Sequence, residues 1–216
     1  MARNETFDLA GPAGRLEAIL MHPEGEPVAA AVVCHAHPLQ GGIMHFKVVF
    51  RAAKALQRQG VAALRFNFRG AGRSAGTHDH GRGEQDDVRA ALGEMERRFP
   101  GQPLVLGGFS FGSSMALQVS AADPRPRAVF ALGFPAGMVA DTSFVGAIRV
   151  PRLFVQGEKD DIGPPGPLRA LVEPLPEPRR LVVIEGADHF FTGKLEELEQ
   201  TIASWAAERP WEPRAG

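Results

Sequence analysis

The most constraining stretch of this chain is Leu104-Val105-Leu106-Gly107-Gly108-Phe109-Ser110-Phe111-Gly112-Ser113-Ser114. A short apolar run breaks at glycines, presents one serine and continues into Met115-Ala116-Leu117-Gln118-Val119, which reads as a helix. Gly108-x-Ser110-x-Gly112 is the spacing of a tight strand-to-helix turn that exposes a serine hydroxyl. The flanking glycines let the backbone close around the turn. The helix then begins at the serine, and its first N–H groups lack intrahelical acceptors. A chain built around such a turn needs a strand before it and a helix packed behind it, so the stretch already points to an α/β fold.

The same spacing recurs at Gly72-Arg73-Ser74-Ala75-Gly76, but there it lies in a turn-rich loop. No strand runs straight into Ser74 and no helix runs straight out. Ser110 is therefore the candidate nucleophile.

The rest of the chain alternates. Residues 7–9 and 16–21 read as an antiparallel hairpin around Gly11-Pro12-Ala13-Gly14. Residues 28–34 form a continuous apolar run, suited to a strand buried on both faces. Further strands are expected at 61–68, 104–109, 128–132, 153–156 and 181–184. Helical spacing of apolar residues marks 45–59, 88–99, a short segment at 168–172 and a closing helix through Leu195, Leu198, Ile202 and Trp205. This alternation predicts a mostly parallel sheet with helices on both faces. Ligands of such sheets bind beyond the carboxyl ends of the strands.

Those strand ends carry the reactive side chains. A serine hydroxyl needs a base to take its proton, and the base needs an anionic partner. In this type of fold the chain order is Ser, then Asp or Glu, then His. His189 is the one histidine downstream of Ser110, and it follows the 181–184 strand. The loop after 153–156 reads Gly157-Glu158-Lys159-Asp160-Asp161. Asp160 is the choice for the acid on its reach into the site, with Asp161 the alternative. Asp188 is read as a turn former. Donors for an oxyanion are expected from the backbone N–H of Phe111 and from the loop after 28–34, placed at Leu39 with Gln40 as its neighbouring alternative.

With 216 residues the chain suits one domain spanning 1–216. A formal charge of −1 leaves no basic footprint for nucleic acid. No apolar run reaches membrane-spanning length, and no secretory h-region opens the chain, so a cytoplasmic protein is expected. Cys34 is the only cysteine, which excludes an intrachain disulfide, and a buried strand end suits it as a small hydrophobe. His78-Asp79-His80 offers ligand-type residues without a third partner, so no metal is expected. Arg65, Arg69 and Arg73 are read as loop holders through carboxylates such as Asp86 or Asp87. No cofactor is implied.

Two further segments carry a resemblance. His37-Pro38-Leu39-Gln40-Gly41-Gly42 and the run Arg65-Phe66-Asn67-Phe68-Arg69-Gly70-Ala71-Gly72-Arg73-Ser74, taken with Ser110, Asp160 and His189, resemble the α/β-hydrolases. More narrowly they resemble the small lidless bacterial esterase-like group that includes dienelactone hydrolases. The likeness covers nearly the whole chain. It implies an α/β-hydrolase fold, a Ser110–His189–Asp160 triad, and an oxyanion hole at Leu39 and Phe111. Only 134–150 separates the 128–132 strand from the next, too short for a cap domain. The expectation is an open cleft lined by Leu39, Phe111, Phe134, Met138, Phe144 and Phe190. A serine esterase acting on a small short-chain ester follows, as a monomer or homodimer. Thioesterase, lactonase and peptidase activities, and a non-catalytic binding module on the same fold, remain open alternatives.

Overall fold

The computed structural model describes residues 3–212. Its sheet has eight strands: β1 (Arg3–Gly11), β2 (Gly14–His22), β3 (Ala29–Cys34), β4 (Val61–Phe66), β5 (Leu104–Phe109), β6 (Pro126–Leu132), β7 (Arg152–Gly157) and β8 (Arg179–Ile184). The spatial order is β1-β2-β4-β3-β5-β6-β7-β8. β1 and β2 form the antiparallel hairpin, with Leu9 opposite Leu16 and Gly11 opposite Gly14, and β2 pairs antiparallel with β4. Every later pair is parallel.

The helices are α1 (Lys47–Arg58), α2 (Arg82–Arg98), α3 (Phe111–Ala122), α4 (Phe144–Ala147), α5 (Pro165–Val172) and α6 (Leu195–Ala207). β3 shows why the apolar run is continuous. Ala30 and Val32 join the core beneath α2 and α3, while Ala29, Ala31 and Val33 join the core with Val48, Ala52, Leu56, Ile202 and Trp205 of α1 and α6. A strand covered on both faces has no solvent side on which to place polar residues.

Boundaries moved where turn chemistry overrode the apolar pattern. β4 stops at Phe66 because the Phe68 N–H goes to the His35 ring at 3.0 Å instead of a neighbouring strand. α5 begins at Pro165, three residues before the apolar pattern does. Proline suits a first helical turn because its missing N–H would lack an acceptor there. The segment 134–150 holds only a 3-10 turn at Ala136–Met138 and the four-residue α4. Among the described residues no helix is long and apolar enough to cross a membrane.

The chain leaves β3 toward β4 on one side, and β5 lies on the other. The ends of β3 and β5 therefore flank a point where strand order reverses, the place where open α/β sheets form a crevice.

Candidate active site

Ser110 sits between β5 and α3 with φ 55° and ψ −119°. Positive φ is uncommon for a residue with a side chain and marks local strain. The turn closes because its flanks have no side chains. A Cβ on Gly108 would lie 2.4 Å from the Gly112 carbonyl oxygen, and one on Gly112 would lie 2.4 Å from the His35 carbonyl oxygen. The Ser110 carbonyl accepts the N–H groups of Ser113 and Ser114. Phe111 and Gly112 thus present first-turn N–H groups with no intrahelical acceptor.

The Ser110 hydroxyl lies 3.0 Å from Nε2 of His189, and Nδ1 of His189 lies 2.8 Å from Oδ2 of Asp160. With the Nδ1 proton given to Asp160, Nε2 is the acceptor for the Ser110 O–H. These residues come from the ends of β5, β8 and β7. His189 and Asp160 are almost completely buried. The imidazole packs against Phe109 at 5.0 Å between ring centroids and against Phe190 at 5.3 Å. Asp160 is satisfied on all sides: Oδ1 accepts the N–H groups of Ile162 (3.0 Å) and Gly163 (2.7 Å), and Oδ2 also accepts Nε2–H of Gln156 (2.8 Å). Asp161 points to solvent. Asp188 accepts the Thr192 N–H at 2.8 Å, and this backbone bond holds its carboxyl below the usual range.

The loop after β3 departs from expectation. Pro38 opens a 3-10 turn, Pro38–Gln40, capped by His37. The Leu39 N–H donates to Nδ1 of His37 at 3.2 Å, and the Gln40 and Gly42 N–H groups both donate to the His37 carbonyl. The expected oxyanion donor at Leu39, and its alternative at Gln40, are thus engaged inside their own turn. The turn nonetheless lies against the elbow, with the His37 and Phe111 rings 5.0 Å apart. The His37 ring also packs on His78 at 4.7 Å, and burial holds its imidazole below the usual range, with a smaller contribution from His78.

His35 anchors this loop. Its Nδ1–H donates to the Ala36 carbonyl at 2.6 Å, and Nε2 accepts the Phe68 N–H. Burial pushes the ring down to about 4, so the fold requires it neutral. An unfolded imidazole takes a proton near 6.5. The stability contribution is therefore complete above about pH 6.5 and is lost as pH falls through about 4. Denaturant unfolding should show a His35 share of about 3 kcal/mol lost by pH 4, and His35→Gln should remove that share.

Of the expected lining residues, Phe134 is a correction. It is fully buried in the core with Val145, Phe154 and Leu168, and offers no surface to a ligand. It lies two residues beyond β6, after Gly133 at φ 55°, and its side chain turns into the core. Phe144 is half-buried against the same core, whereas Met138 is 72% exposed. Phe190 lines a cavity of about 520 Å³ with Gly41, Ile43, His45, Phe46 and Leu195. Phe46 stacks on Phe109 at 5.7 Å, which in turn packs on His189, so aromatic rings link the cavity to the buried histidine, although neither His189 nor Ser110 lines it. Ile43, Phe46 and Gln156 are not among the sequence candidates, and Leu195 is read there only as a core residue of the closing helix. Gln156 had a signal, being a lone amide at the end of an apolar strand.

The remaining singled-out residues are structural. The Ser74 hydroxyl accepts the Glu17 N–H and donates to the Asn67 carbonyl. Arg69 makes paired bonds to Asp87, Arg73 bonds Glu17, and Arg65 donates to the Met44 carbonyl. Cys34 is buried, and burial pushes its thiol up, away from the reactive thiolate.

A family model described as "Alpha/beta hydrolase domain" matches residues 29–208. An uncharacterised protein of Rickettsia prowazekii is 36% identical over 200 residues, which cover 89% of this chain and 84% of that one. Among solved structures, an α/β serine hydrolase without a lid, XC6422 from Xanthomonas campestris, superposes with a TM-score of 0.88 at 35% identity, covering 99% of this chain and 97% of that one. An alpha-beta serine hydrolase homologue from Coxiella burnetii gives a TM-score of 0.85 at 37% identity, over 93% and 96% of the two chains.

Proposed function

The chain belongs to the alpha/beta hydrolase domain family, and from that premise we propose that it is a carboxylesterase acting on short-chain esters through Ser110, His189 and Asp160 in one catalytic domain. The observation that carries this reading is the unbroken hydrogen-bonded chain from the Ser110 hydroxyl through both nitrogens of His189 to Asp160. A binding surface has no need for a strained serine backed by a buried imidazole and a buried carboxylate.

In this mechanism Nε2 of His189 takes the Ser110 proton as Oγ attacks the ester carbonyl carbon. Asp160 holds the imidazole in the tautomer that leaves Nε2 unprotonated, then balances the imidazolium. The developing oxyanion is met by the Phe111 N–H at the start of α3. A second donor from Leu39 requires the His37 ring to release that N–H. Collapse of the tetrahedral intermediate breaks the ester C–O bond, and the alcohol leaves with the proton from His189. Water then adds to the acyl-enzyme with His189 as base, the acid departs, and the Ser110 hydroxyl is restored.

The Ile43–Phe46–Phe190 cavity is the proposed seat for the apolar part of the ester. With only 134–150 between β6 and β7, the described residues form no cap over a long alkyl chain, so acetyl and butyryl esters should turn over faster than palmitoyl esters. A fluorophosphonate probe should label the protein at Ser110, located by peptide mass spectrometry. Absence of both labelling and ester turnover would end the esterase reading. Ile43, 36% exposed, gives a test of the cavity. Ile43→Ala removes about 1 kcal/mol of apolar contact, so KM for p-nitrophenyl butyrate should rise about fivefold with kcat nearly unchanged. An unchanged KM would move the substrate elsewhere.

A further inference from the structure

We propose that Gln156 is a positioning residue whose amide fixes Oδ2 of Asp160, the carboxylate oxygen that receives the Nδ1–H of His189. The proposal rests on the Ser110–His189–Asp160 reading above. β7 is buried along its whole length, and Gln156 is its one uncharged polar side chain. A buried amide is costly unless its groups are bonded. Here only half of the amide is. Nε2 donates to Oδ2 of Asp160 at 2.8 Å and to the Gly163 carbonyl at 2.5 Å, while Oε1 is buried with no partner among the described residues. An apolar residue would avoid that unpaired oxygen. What Gln156 supplies is its pair of N–H groups, directed at the loop that carries the acid.

The consequence lies in how Asp160 is filled. Its Oδ1 is held by the N–H groups of Ile162 and Gly163, and its Oδ2 is shared by Gln156 and His189. The backbone bonds alone hold one end of the carboxylate. Gln156 occupies one lone-pair direction of Oδ2 and leaves the other to His189, which sets the imidazole plane and so the aim of Nε2 at Ser110. The same bond draws off part of the negative charge facing the imidazole. Asp160 bonds the His189 ring directly and the sequence neighbour Asp188 interacts with it more weakly, so changing one donor to Asp160 alters the field at the imidazole.

The test compares wild type, Gln156→Leu and Gln156→Glu. Read-outs are kcat and KM for p-nitrophenyl butyrate, the pH profile of kcat/KM, and the downfield proton resonance of the His189 Nδ1–H. Gln156→Leu should lower kcat about 10-fold to 100-fold with little change in KM. Its acid limb should move up by about 0.5 to 1 pH unit, because a less satisfied Asp160 holds the imidazolium more strongly. The Nδ1–H resonance should shift or broaden. Gln156→Glu, nearly isosteric, donates to Asp160 only while its carboxyl holds a proton. Its activity relative to wild type should fall as pH rises from 6 to 9, and it carries the test where Gln156→Leu fails to fold. A merely structural role predicts a lower melting temperature with an unmoved acid limb and an unmoved Nδ1–H resonance, which would overturn the proposal. If wild type hydrolyses no ester, the esterase reading fails. The Nδ1–H resonance still decides whether Gln156 positions the Asp160–His189 pair.

Discussion

Ser110→Ala should lower kcat for p-nitrophenyl butyrate by about 10⁶, to a rate at which the elbow and bound water provide all remaining catalysis. The size of the effect follows from what the oxygen does. In the proposed mechanism no acyl-enzyme forms without Oγ, and His189 and Asp160 have nothing to activate, so the three groups fail together instead of in parts. The substitution should leave the fold intact. Among the described residues the one side-chain hydrogen bond of Ser110 is to His189, and the surrounding chain is fixed by Gly108, Gly112 and the β5 and β6 backbones. Alanine also meets the same φ 55° that serine does, so no new strain enters. The expected result is a near-wild-type melting temperature, loss of fluorophosphonate labelling and background turnover. Equal turnover by the two proteins would place the chemistry at another residue.

Asp160→Asn is expected to cost about 10⁴ in kcat, while Asp161→Asn leaves it within about twofold. An asparagine amide turned toward His189 presents an N–H where the imidazole needs an acceptor. His189 would then favour the tautomer with its proton on Nε2, facing Ser110, and could no longer receive the serine proton. The alternative orientation, oxygen toward His189, sets the amide nitrogen against the N–H groups of Ile162 and Gly163, which need an acceptor. Either way a buried donor loses its partner, at about 1 to 3 kcal/mol, so the melting temperature should fall along with activity. Asp161 is solvated and bonds to none of these groups, so it is the internal control. Comparable losses for the two variants would mean that the acid loop rearranges on binding.

Much of the architecture was legible from local pattern. The both-face burial of β3, the Gly11–Gly14 hairpin and the amphipathic α1 and α6 follow from covalent spacing, because side-chain direction repeats with the period of the element. The meeting of Ser110, Asp160 and His189 was also approachable, since parallel strands deliver their carboxyl ends to one edge of the sheet. Chain order then selects one residue from each end. Choosing Asp160 over Asp161 rested on reach alone. What holds that carboxylate, the Ile162 and Gly163 amides and Gln156, depends on how the loop folds back on its own strand.

Leu39 and Phe134 depart from expectation for related reasons. Leu39 lies in the loop where a donor was expected, but the direction of a backbone N–H depends on torsions that residue identity does not encode. Here a 3-10 turn gives it to the His37 ring. Phe134 follows a strand end, as a lining residue would, yet it is buried in the same core as Phe154 and Leu168. The Ile43–Phe46–Phe190 cavity joins residues from opposite ends of the chain, brought together by the packing of α1 against α6. By itself the sequence determined the periodic elements, the parallel sheet and the strand ends that carry reactive side chains, because these follow from spacing along one chain. Only the tertiary structure decided which N–H groups stay free, which aromatic ring faces the cleft and what steadies Asp160, because those depend on torsions and packing between segments far apart in sequence.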